Sequence, residues 1–275
     1  MTATGLLPRP TRYVDHVMGM PISLALRGRH THDHRALEAW SEVMADLREV
    51  DRVFSTYRED SFVSRLGRGE ITVADCPPEV VEVLGLGHRA RLESDGAFDV
   101  RRRGPDGPVT LDPSGVVKGW AVERASAWLH ALPETDFCLS AGGDMVCHTD
   151  DPASPPWRVG IEDPADPGRL VATVPVRQGA VATSGSAHRG AHIVDARTGA
   201  VPGRVASVTV VADSLTWADI DATAAYALDR EAAAWLRSRR RTAIVVWADG
   251  SVELTDGTAP RQASRLRSSD SLSHR

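Results

Sequence analysis

The order of the strand-like runs constrains this chain more than any other feature. DFCLSAGGDMVCHT, WRVGIEDP, RLVATVPVR, GAVATSG, AHIVDA and ASVTVVA follow one another between residues 136 and 212, and TAIVVWADG comes after one further helix. Most of these runs are rich in β-branched residues and bounded by Gly, Pro or Asp, as strands are. Strands that arrive in succession, with no helix between each pair, predict mostly antiparallel pairing in an α+β fold rather than alternating βαβ units. RYVDHVMGMPISLAL, at 12–26, also reads as extended.

Four helices complete the reading. HDHRALEAWSEVMADLREVDRVFSTY, at 32–57, sets Leu37, Trp40, Met44 and Leu47 at helical spacing, Asp51 continues the row, and Asp33 is the expected N-cap. The others are predicted at 79–94, 116–132 and 217–239. The polar tail RQASRLRSSDSLSHR is too poor in hydrophobes to bury a core and is predicted to be disordered. The expected organisation is an extension at 1–11, one domain at 12–258 and a tail at 259–275.

Composition narrows the function classes. A formal charge of −5 gives no electrostatic footprint for nucleic acid. No segment reaches the roughly 20 apolar residues that span a bilayer, and the N-terminus lacks a basic region followed by an apolar run. Cys76, Cys138 and Cys147 have no zinc spacing and are odd in number, which points to reduced thiols. These features predict a cytoplasmic protein with no membrane or nucleic-acid partner. Asn is absent, and Lys118 is the only Lys among 32 Lys and Arg residues. A lone Lys amid so many Arg marks either a place where a compact ammonium works and a guanidinium fork does not, or chance survival.

Several constellations carry candidate chemistry. In LDPSGVVKGWAVERA, Pro113 and Gly115 end a strand just before a helix whose first turn is expected to hold Lys118. Exposed N–H groups and the positive dipole end suit phosphate there, although a plain strand–turn–helix joint has the same pattern. SAGGDMV, at 140–146, reads as a hairpin with Asp144 beside the turn. In TWADIDATAAYAL, Asp219 and Thr223 lie one helical turn apart, a carboxylate and a hydroxyl suited to a hard cation such as Mg²⁺. Equally, Thr216 could cap that helix and leave Asp219 at N3 as a dipole partner. TSGSAHRGAHIVDARTG, at 183–199, is polar where its neighbours alternate toward a core. It places His192 and Asp195 at the two ends of a short predicted strand. His30, His32 and His34 sit in a polar loop before a capped helix and read as a solvated turn.

Taken in order, MGMPI, FSTYREDSFVSRL, GAFDV, LDPSGVVKGWAVE, SAGGDM, WRVGIEDP, VATSG, HIVDARTG and ADIDATAAYAL resemble the ApbE-type FAD:protein FMN transferases from Met18 to Leu228. The resemblance implies an α+β fold with a mostly antiparallel sheet, flanking helices and a FAD cleft between two lobes. It also implies Mg²⁺ at the pyrophosphate, and transfer of FMN from FAD to a Thr or Ser of a target protein as a phosphoester, with release of AMP. Met18, Tyr57, Ala97, Phe98, Asp99, Asp112 and Lys118 match FAD-contacting places. The Gly115 carbonyl, Asp219 and Thr223 match metal ligands, and His192 matches the base, held by Asp195 or Asp144. An Mg²⁺-dependent FAD pyrophosphatase and a non-catalytic flavin-binding protein are the alternative readings. The chain departs from the usual family pattern at Gly67 and Ser140, where Asn is common, and at Ala196, where Pro is common. RRRGPDGPVT alone joins Val100 to Leu111 where relatives carry a longer helical segment.

Overall fold

A computed structural model of the chain describes residues 9–103, 109–187, 190 and 192–257. The tail at 259–275, most of the extension at 1–11 and part of the short 101–110 connection lie outside the described residues. The elements run β1 (Thr11–Val17), β2 (Met20–Gly28), α1 (His34–Phe54), α2 (Phe62–Gly67), α3 (Pro78–Glu93), β3 (Arg101–Arg103), β4 (Val109–Leu111), α4 (Ser114–Ala125) and α5 (Ala127–His130). There follow β5 (Thr135–Ala141), β6 (Asp144–His148), β7 (Trp157–Asp163), β8 (Asp166–Val176), β9 (Gly179–Gly185), β10 (Val205–Ala212), α6 (Leu215–Ala227), α7 (Ala232–Ser238), β11 (Thr242–Trp247) and β12 (Val252–Thr255).

Eight strands form one sheet in the order β1-β2-β5-β6-β9-β10-β11-β12, and β3-β4 and β7-β8 are separate hairpins. All the described pairings are antiparallel, as the strand order predicts. Alternation along the strands gives the sheet two apolar faces. On one, Ile22, Leu24, Leu26, Phe137, Leu139, Ala182 and Val208 are buried together with residues of α1, α4 and α6. On the other, Cys147, Val181, Ile244 and Val246 are covered by Val159, Ile161 and Val176 of the β7–β8 hairpin. Burying each large aliphatic side chain contributes about 1.5–3 kcal/mol, so the two-sided sheet is the main store of stability.

Four expectations change. Asp33 does cap α1, accepting from the Ala36 N–H at 3.1 Å. The buried stripe of α1, however, runs through Ala36, Ala39, Val43, Met44, Leu47, Val50, Val53 and Phe54, while Leu37 is half exposed and Trp40 is only partly buried, tilted against Tyr13 at the core's edge. The face keeps the predicted Met44 and Leu47 but begins on small Ala36 and Ala39, which a search for bulky hydrophobes passes over. The 116–132 helix opens two residues earlier and breaks at Ser126, which places Lys118 in the second turn of α4. The 217–239 helix breaks at Asp229, whose φ of +50° leaves the helical region and whose carboxylate accepts from the N–H groups of Arg204 and Val205. AHIVDA forms no strand: Ala191 is outside the described residues, and the N–H groups of Asp195 and Ala196 donate to Ala200 and Ala97 rather than to a ladder.

Candidate active site

Helices α4 and α6 meet at Gly119, and this contact builds the site. A Cβ at Gly119 would lie 2.8 Å from both the Asp219 Cβ and the Leu215 carbonyl oxygen, so only a bare backbone permits the approach. The Gly119 N–H then donates to Asp219 Oδ2 at 3.0 Å, tying the carboxylate across the helix pair. Ser214, not Thr216, is the N-cap of α6, and its side chain accepts from the Trp217 N–H. Thr216 instead donates to Glu123 through both its N–H and its hydroxyl. Asp219 therefore lies beyond the first turn, which removes the capping-box explanation for it.

Lys118 Nζ is 2.5 Å from Asp144 Oδ2 and 3.3 Å from Asp219 Oδ1. Asp144, at the end of the β5–β6 turn, also accepts from the Thr183 N–H at 3.0 Å. Two buried carboxylates thus face one ammonium. Burial, opposed by Lys118 and reinforced by the Asp144 charge, leaves the Asp219 carboxyl raised to about 7. A compact ammonium fits between the two carboxylates, so chance survival is no longer needed to explain Lys118. Thr223, one turn beyond Asp219, exchanges a hydrogen bond with Ser184 Oγ at 3.0 Å. A Cβ on Gly115 would lie 3.8 Å from the Thr223 methyl and 3.0 Å from the Phe98 ring, so Gly115, Phe98 and Thr223 are neighbours. Carboxylate, hydroxyl and backbone carbonyl are hard oxygen donors, and here negative groups outnumber the positive one. That set suits a hard divalent cation.

A cleft of about 470 Å³ opens above this cluster. Ala97, Phe98, Asp99, Asp112, Gly115, Lys118, His192, Asp219 and Thr223 all line it. Two predicted contacts are not among its lining residues: Met18 packs against the core from the β1–β2 turn, and Tyr57 is 98% exposed on the α1–α2 loop. His192 Nδ1 is 2.9 Å from the Gly190 carbonyl, so in the neutral ring Nδ1 carries the proton and Nε2 the lone pair. Asp195 serves a different partner from the expected one. Burial alone would raise its carboxyl, but bonds from the Arg197 guanidinium and backbone N–H outweigh burial and hold it below the ordinary value. Asp144 likewise holds Lys118. Ala196, which has an N–H where the usual Pro would not, donates to the Ala97 carbonyl at 3.0 Å and docks the His192 segment onto Ala97–Asp99. Sequence reasoning missed Ser184 and the β7–β8 wall of the cleft, represented by Ile161, Glu162 and Leu170. Ser184 had a visible signal, because it continues the inward row of Ala180 and Ala182 in β9 as a hydroxyl.

Comparison with known proteins identifies the class. The chain matches the ApbE family over residues 18–105 and 101–246, and it belongs to that family. The FAD:protein FMN transferase of Rhodobacter capsulatus is 35% identical over 168 residues, covering 55% of this chain but only 31% of that protein. The chain thus spans under a third of that relative's length in the match. The Vibrio cholerae protein of the same name is 27% identical over 248 residues, 70% of this chain and 73% of its own. Among solved structures, the ApbE protein of Thermotoga maritima has a TM-score of 0.79 at 20% identity, covering 90% of this chain and 97% of its own. Pseudomonas stutzeri flavinyl transferase ApbE has a TM-score of 0.76 at 22% identity, covering 92% and 96%. These two show the fold.

Proposed function

We propose that the chain is an Mg²⁺-dependent FAD:protein FMN transferase that esterifies a Thr or Ser hydroxyl of an acceptor protein and releases AMP. The observation that carries the reading is convergence: the α4 turn with Lys118, the Asp219/Thr223 pair and His192, far apart in the chain, line one cleft. FAD would lie along Ala97–Asp99, Asp112 and Lys118, with its diphosphate near the start of α4. Asp219, Thr223 and the Gly115 carbonyl would hold Mg²⁺. Bound Mg²⁺ would offset charge on the diphosphate and on departing AMP. The acceptor hydroxyl oxygen bonds to the FMN phosphorus as the bond from that phosphorus to the AMP oxygen breaks. His192 Nε2 takes the hydroxyl proton. Positioning and charge neutralisation supply most of the acceleration in such transfers.

The functional unit in this reading is 12–258. No helix among the described residues is long and apolar enough to cross a membrane, and the thiol complement supports a cytoplasmic setting. Incubation with FAD, Mg²⁺ and candidate partners, followed by mass spectrometry, tests the proposal. Flavin-labelled Thr or Ser with stoichiometric AMP is the expected result. AMP without labelled protein would make the chain a FAD pyrophosphatase, and bound FAD without turnover would make it a flavin-binding protein.

A further inference from the structure

Three sulfur atoms gather on the sheet face opposite α4 and α6. Cys138 of β5 is paired in register with Cys147 of β6, and their Sγ atoms are 3.7 Å apart. Met145, two residues before Cys147 and so on the same side of β6, brings its Sδ to 4.0 Å from Cys138 Sγ. We propose that Cys138, Cys147 and Met145 form a three-coordinate site for a soft monovalent cation, Cu(I).

The observed separations are those of reduced thiols in contact. A disulfide needs about 2.05 Å between sulfurs. With a metal–thiolate bond of about 2.3 Å, the length known for zinc, linear two-coordinate binding needs roughly 4.6 Å and a trigonal centre about 4.0 Å. Two edges of the triangle, at 3.7 and 4.0 Å, lie close to the trigonal value. Thiolate and thioether sulfurs are the soft donors that select Cu(I) over harder ions. Cys147 is buried and Cys138 half-buried, so the pair is held on a rigid ladder. Met145 also lines the cleft, which gives an ion a route to the pair.

Charge suits the same ligand. Coordination releases one proton from each thiol, leaving two thiolates around a single positive charge and a net charge of −1. Arg12 and Arg27 lie close enough to Cys138 to favour that charge. None of these groups other than Met145 lines the proposed flavin cleft, so the inference does not depend on the transferase reading.

The test uses the full chain carrying Cys76→Ser, which removes the remaining thiol. Anaerobic titration with Cu(I) against bicinchoninate is expected to leave one copper per chain. X-ray absorption should show three sulfurs at about 2.3 Å. Cys138→Ser should weaken retention at least ~10-fold, the smallest loss seen when even outer-shell partners are removed. Cys138→Ala should give the same loss by a second route. Met145→Leu should convert the signal to two sulfurs. Failure to hold copper against the chelator, wild-type retention in both Cys138 variants, or a two-sulfur signal indifferent to Met145→Leu would each overturn the site.

Discussion

At the scale of single residues, the proposed reaction assigns charge to one set of groups in the cleft and a proton to another. Asp219 is buried and tied to Gly119 and Lys118, and the proposed reaction uses its carboxylate to hold Mg²⁺. Asp219→Ala is expected to lower transfer on the order of 10²–10³-fold, as loss of one positioned electrostatic group does, and to flatten the Mg²⁺ dependence. Steady-state rates across an Mg²⁺ series check this, and wild-type behaviour would return Asp219 to a role in joining α4 and α6. His192→Ala should slow transfer by about 10²–10⁴-fold, the range for a general base, while FAD still binds. Equilibrium dialysis with FAD distinguishes that outcome from a pocket role. Asp219 and Thr223 were legible as a pair because four residues make one helical turn. Their partners Lys118, Asp144 and Ser184 come from α4, β6 and β9, and no local spacing predicts such a meeting.

At the scale of elements, close approach of α4 to α6 is the demanding feature. Gly119→Ala adds a methyl 2.8 Å from Asp219 Cβ and from the Leu215 carbonyl. It is expected to cost about 1–3 kcal/mol by overpacking and to misplace Asp219. Urea unfolding and FAD affinity measured on the same variant would show both losses, and an unaltered protein would mean that the helices can separate without consequence. The segment from His192 to Gly199 is a second such element. Asp195 folds it back on itself through Arg197 and through N–H groups of Thr198 and Gly199. Because the folded carboxyl sits below its ordinary 3.8, its contribution is present above that pH and is lost as pH falls through the lower folded value. Arg197→Ala should therefore make the melting temperature fall less steeply between about pH 5 and pH 3. Differential scanning calorimetry across that range measures the slope, and an unchanged slope would show that the pair adds nothing to the fold. The strand expected over AHIVDA fails here for a physical reason: apolar Ile193 and Val194 suggested extension, but the turn and the dock to Ala97 claim its N–H groups.

At the scale of the whole molecule, one sheet serves two cores. Leu24 is fully buried on the helical face, beside Leu139 in the adjacent strand. Leu24→Ala is expected to cost about 2–5 kcal/mol, as cavity-forming core truncations do. Because both cores share the same strands, tryptophan fluorescence and far-UV circular dichroism should still report a single coincident transition. Two separated transitions would show that the β7–β8 face unfolds independently. The sequence by itself determined the antiparallel α+β class, the strand succession, the cap at Asp33 and the family, since alternation, turn residues and capping act over a few neighbouring positions. Only the tertiary structure decided which face of α1 is buried, where the two long helices break, and that Thr216 turns to Glu123 while Ser214 caps α6. Those outcomes depend on which distant chain segment supplies the nearest surface or hydrogen-bond partner, and that is settled when the sheet closes and α4 packs on α6.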